Sequence, residues 1–165
     1  MLHLDTGNTG FMILCCSLVM LMTPGLAFFY GGLVGRKNVL AIMIQSFVSM
    51  GWTTVLWWLC GFSMCFSGDL KSGSDYAGII GNFHWAFLRG ITLTTPSSND
   101  TIPLIVFCAY QMMFAIITPA LITGAFTNRV TFKAYTLFLT AWLLCVYFPF
   151  VHMVWGCLLY TSRCV

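Results

Sequence analysis

The chain has 165 residues, 59% of them hydrophobic and only 7% charged, with a mean hydropathy of +0.91. A soluble domain carries roughly a quarter of its residues charged, so a water-soluble globule is excluded and an integral membrane protein is expected. The net charge of +3 comes from few, scattered basic residues, which exclude a nucleic-acid footprint and with it a nucleic-acid partner.

In chain order, the start Met1-Leu-His-Leu-Asp5 lacks the basic segment that opens a secretory signal. The charge-free run 6–35 is also too long for a signal core, and it is expected to be a retained span. It carries Pro24, Gly25, Gly31, Gly32 and Gly35. Gly31 and Gly35 form a GxxxG pair of the kind that lets a neighbouring backbone approach closely. A second charge-free run covers 38–68. The connection that follows, 69–100, contains an apolar patch, Tyr76–Leu88, interrupted by Gly81, Asn82 and His84. It is too short and broken to cross a bilayer, so an interfacial segment capping the bundle is expected.

The third run, 101–128, has no Asp, Glu, Lys or Arg and exceeds the roughly 20 residues that a membrane helix needs. Near its middle, Tyr110 and Phe114 are four apart and Gln111 and Phe114 three apart, so a helix projects all three from one side. An unpaired amide costs of order 4–8 kcal/mol in hydrocarbon. That side is therefore expected to face other helices or a pore, and a Gln that merely bonds a neighbouring helix is the plain alternative. Ala120 and Gly124 form a small pair with Pro119 beside them. A fourth run covers 134–162 and contains His152 and Trp155.

Four crossings make an all-α, polytopic membrane bundle in a lipid bilayer. The short connections hold Arg36, Lys37, Arg129 and Lys133 and no acid, which places them inside the cell and the N-terminus outside. Asn99-Asp100-Thr101 fits the N-glycosylation pattern and falls in the connection assigned to the outside. Trp52, Trp57, Trp58, Trp85, Trp142 and Trp155 include candidate interface anchors. Cys15, Cys16, Cys60, Cys108 and Cys145 lie inside apolar runs, where Cys behaves as a small hydrophobe, and no CxxC spacing suggests a metal. An enzyme finds nothing to work with, since the spans hold no carboxylate, GxSxG or HExxH. No cofactor is expected. His152, near the outer end of the fourth run, is expected to bond a neighbouring helix, with a proton relay as the alternative.

The exit of the first run reads Pro24-Gly25-Leu26-Ala27-Phe28-Phe29-Tyr30-Gly31-Gly32-Leu33-Val34-Gly35-Arg36-Lys37-Asn38. It resembles the signature of the ammonium transporter (Amt/Mep/Rh) family. Tyr110-Gln111-Met112-Met113-Phe114-Ala115-Ile116-Ile117-Thr118 is similar to that family's third helix, and Phe148-Pro149-Phe150-Val151-His152-Met153-Val154-Trp155-Gly156 to the end of its fourth. The resemblance implies that Phe114 gates the pore. It also implies that Trp155 walls the outer ammonium-recruitment site, and that Tyr110 and Gln111 line the vestibule beside it. Ammonium or ammonia is then the substrate, and a homotrimer the expected assembly of a full-length parent.

The resemblance covers 1–156, and the tail 157–165, Cys-Leu-Leu-Tyr-Thr-Ser-Arg-Cys-Val, does not continue the family pattern. The pore histidines, the serine of the outer site and the second gate phenylalanine have no counterpart. A partial gene model, a frame shift or an alternative splice is expected. Alone, the chain is expected not to conduct, which methylammonium uptake above vector background in transport-deficient cells would overturn. The alternative function is a non-conducting four-span interaction protein that packs with full-length subunits.

Overall fold

The computed structural model describes residues 4–67, 79–97, 101–126 and 129–155. The glycosylation asparagine at 99, the first three residues of the 76–88 patch and the tail 157–165 lie outside the described residues. Four helices are long and apolar enough to cross a bilayer: α1 (Thr6–Leu33), α2 (Val39–Phe66), α3 (Leu104–Phe126) and α4 (Phe132–Trp155). Among the described residues there is no strand, only an isolated antiparallel bridge between Pro96 and Pro103.

Local chemistry sets the ends. The Asp5 carboxylate accepts from the Gly7 N–H at 2.9 Å, satisfying one of the donors that a helix start leaves open. After Leu33 the chain becomes extended at Val34 and turns through Gly35, whose carbonyl accepts from Asn38 N at 2.9 Å. Pro103, held extended, precedes the first turn of α3. Inside the spans, Ser46, Thr54, Thr118 and Thr140 donate to the carbonyls four residues back at 3.0, 2.9, 2.7 and 2.9 Å. Each hydroxyl is thereby satisfied without water.

α1 packs on α2 and α3, and α2 packs on α3, while α4 meets α2 most closely at one end of the bundle. The Asp5 amide donates to the Thr101 carbonyl at 2.9 Å, which fixes the starts of α1 and α3 side by side. At the α2–α4 crossing, both helices contain a π turn, Trp57–Gly61 in α2 and Leu143–Tyr147 in α4. One extra residue rotates the face presented beyond it by about 100°. At and just beyond the two π turns, Trp57, Phe62, Phe66 and Phe148 come together as the core of this end. Trp57 lies 6.0 Å from Phe62 and 5.9 Å from Phe148. Gly61 permits the crossing, because a Cβ there would stand 2.6 Å from the end of the Phe148 ring.

Between α2 and α3, residues 82–85 close over this end. Trp85 stacks on Phe62 at 5.7 Å, its amide donates to Ser63 Oγ at 3.0 Å, and Ser63 Oγ donates to the Asn82 carbonyl at 2.7 Å. Trp57 and Trp85 are therefore core residues, not interface anchors. The GxxxG expectation also needs correction. Gly31 meets side chains of α2, Val39 and Met43, at ordinary contact distance, while nothing approaches Gly35. The buried residues of α1 are Thr23, Ala27 and Gly31, one per turn, so the small stripe lies further back along the helix than Gly35.

Candidate functional site

Helical spacing on α3 puts the Tyr110 and Phe114 rings edge to face at 5.1 Å. Trp155, in the last described turn of α4, brings its indole 6.2 Å from the Phe114 ring at an interplanar angle of 82°. Three of the four sequence-derived site residues thus form one continuous group of rings from two separate spans. Phe114, Thr118, Tyr147, Phe150 and Trp155 border a cavity of about 400 Å³ with an almost wholly apolar wall. Trp155 is 47% exposed, so its indole is reachable rather than sealed in the core.

Gln111 is placed differently. Helical spacing gives it the side of α3 that carries Tyr110 and Phe114, but like Tyr110 it does not border this cavity, and it has no ring to join the group. Its Oε1 is buried with no hydrogen-bond partner. The alternative in which Gln111 ties two helices together therefore finds no bond through that oxygen. An unpartnered amide oxygen at membrane depth is a free acceptor in a medium where acceptors are scarce.

Two further rings were not found from the sequence. Phe66, the last residue of α2, stacks on Trp155 at 6.5 Å and 24°, and Phe107 meets Phe66 edge to face at 5.2 Å. Phe107 was findable, since 107, 110 and 114 follow the helical spacing of one side. Phe66 had no such signal: only the α2–α4 crossing brings it to Trp155. His152 is fully buried, and its Nδ1 lies 2.8 Å from the Cys65 carbonyl, so it does bond a neighbouring span. Among the described residues, no group of His, Cys, Asp or Glu is placed to hold a metal ion.

The fold and the ring-lined cavity define a polytopic α-helical membrane protein with an aromatic pocket between spans. A family model described as Ammonium Transporter Family matches residues 10–165. The ammonium transporter of Bacillus subtilis (strain 168) is 43% identical over 153 residues, covering 93% of this chain and 36% of that protein. Ammonium transporter 1 of Dictyostelium discoideum is 42% identical over 153 residues, covering 92% and 32%. The crystal structure of Saccharomyces cerevisiae Mep2 superposes with a TM-score of 0.81 at 31% identity, over 93% of this chain and 32% of that one. The chain belongs to the ammonium transporter family. It spans about a third of the length of these relatives.

Proposed function

We propose that this chain forms the outer, recruiting part of a transmembrane route for ammonium, with Trp155 and Phe114 attracting the cation and Tyr110 and Gln111 flanking its entry. The observation that carries this is the approach of the Phe114 and Trp155 rings, from separate spans, at the rim of one apolar cavity. Ring faces attract a small cation through their quadrupoles, worth about 2 kcal/mol once it is desolvated. A unit charge at the bilayer centre costs about 3 kcal/mol or more. Capture by rings alone therefore cannot carry the ion across. It concentrates ammonium at the mouth, and a group deeper in the route must take its proton so that ammonia passes the hydrophobic constriction at Phe114. His152 is not given that part, because it is fully buried and does not border the ring-lined cavity. Proton removal is assigned to polypeptide beyond these four spans, for which the relatives' additional length leaves room.

The same proposal includes a homotrimeric parent in the plasma membrane with its N-terminus outside. The test is Trp155→Leu in a full-length transporter carrying this segment, read as methylammonium uptake. The half-saturation concentration should rise by about tenfold, the loss of most of a desolvated cation–π contact. Unchanged concentration dependence and selectivity would overturn the role. A second reading, a non-conducting partner of full-length subunits, draws on the lightly buried α1, most of whose large side chains face outward. Reduced uptake on co-expression with an intact transporter would favour it.

A further inference from the structure

The end of α2 has an unusual closure. The last four carbonyls of a helix have no partner within it, and after the helix's own final bond, Ser67 N to the Ser63 carbonyl at 3.0 Å, two of them are satisfied from different directions. The Met64 carbonyl accepts from Gly81 N at 2.9 Å. The second, Cys65, accepts from a side chain of another span, His152 Nδ1 at 2.8 Å. A carbonyl can only accept, so the imidazole proton is fixed on Nδ1. In the opposite sense, Cys65 Sγ donates to the Phe148 carbonyl at 3.7 Å, which makes the α2–α4 contact a reciprocal clamp.

The clamp stands one residue from Phe66 and three from Trp155, the two rings that stack at 6.5 Å and 24°. Phe66 is buried and Trp155 is half exposed. Phe66 therefore backs the indole from the protein side. A slip of α2 along α4 would part them.

We propose that His152 is a positioning residue of the recruitment site, and that its Nδ1–H bond to the Cys65 carbonyl holds Phe66 against Trp155 so that the indole presents one fixed face to a small alkylammonium or ammonium cation. The proposal rests on the recruitment reading given above. Cation–π attraction depends on the cation lying over a ring face. An indole free to rotate offers that face only part of the time, and apparent affinity falls by the fraction of time it is presented. A further consequence is that Phe66 acts on cation capture without touching the cation.

The experiment uses the 165-residue chain in lipid nanodiscs, labelled with 5-fluorotryptophan, with the Trp155 ¹⁹F resonance identified among the six tryptophans by Trp155→Phe. Methylammonium chloride is titrated against a sodium chloride control. The wild-type Trp155 resonance should move with methylammonium and not with sodium. His152→Leu, which fills the space without a donor, should move that resonance before any cation is added and raise half-saturation at least ~5-fold. His152→Asn, whose Nδ2 lies close to where Nδ1 was, should restore half-saturation to within about twofold. A His152→Leu titration matching wild type, or a His152→Asn titration matching His152→Leu, overturns the proposal. A wild-type Trp155 that ignores methylammonium instead overturns the recruitment reading itself, and the positioning role with it. Should His152→Leu lose its helical fold, Phe66→Leu decides: it keeps the clamp and removes the backing ring. A raised half-saturation supports the role, and an unchanged one overturns it.

Discussion

α1 and the α2–α4 junction solve opposite packing problems in the same solvent. α1 is the most apolar span and also the least buried. Its buried residues are small, Thr23, Ala27 and Gly31, while Phe11, Leu14, Leu18, Leu21 and Phe28 stay exposed. At the junction the reverse holds, with Trp57, Phe62 and Phe148 fully enclosed. Lipid tails are as apolar as leucine, so moving a large aliphatic side chain from lipid into protein gains little, and helix contacts form where backbones come close or where rings interlock. Apolarity identifies a span. It does not say which side of the span packs.

The largest test of this contrast is Phe148→Ala. The ring is fully buried, with Trp57 5.9 Å away and Tyr147 6.0 Å away, so nothing nearby can collapse cheaply into the space. Stability should fall by about 3 kcal/mol, measured by SDS-induced unfolding of the purified chain in mixed micelles. A loss below ~1 kcal/mol would mean that the junction is loose and the contrast false. Next comes Ala27→Leu on α1, a change that raises apolarity. Ala27 is 1% exposed within the small stripe, so the added atoms push α1 off its neighbours at a cost of about 2 kcal/mol. A neutral or stabilising result in the same assay would show that α1 packs by apolarity after all.

Much of this is legible in the sequence, and the rest is not, for physical reasons. The four spans followed from charge-free length, since hydrocarbon admits no other spanning solution for such a chain. Tyr110 and Phe114 were found because their relation is local, four residues on one helix. The approach of Phe114 to Trp155 came through resemblance, because nothing in spacing links residues 41 positions apart. Phe66 and the His152–Cys65 bond depend on how α2 crosses α4, and that crossing depends on two π turns for which the sequence carries no signal. The GxxxG motif misled for a related reason. A pair of glycines marks where close approach is permitted, and the neighbour's course decides where it happens, here along Thr23, Ala27 and Gly31.

The smallest expected effect is the sharpest on the α1 side of the comparison. Leu18 is 58% exposed on α1, a large aliphatic residue that a soluble protein would have buried. Leu18→Ala removes as much hydrocarbon as a core truncation does, and in water-soluble cores Leu→Ala costs 2 kcal/mol or more. On α1 the vacated volume is filled by acyl chain rather than left as a cavity, and Ala propagates a helix at least as well as Leu. The change in SDS unfolding should therefore stay within about 0.5 kcal/mol. A loss near the core value would mean that this side of α1 is covered by protein, and that the outward face of α1 is an interface rather than a lipid-facing wall.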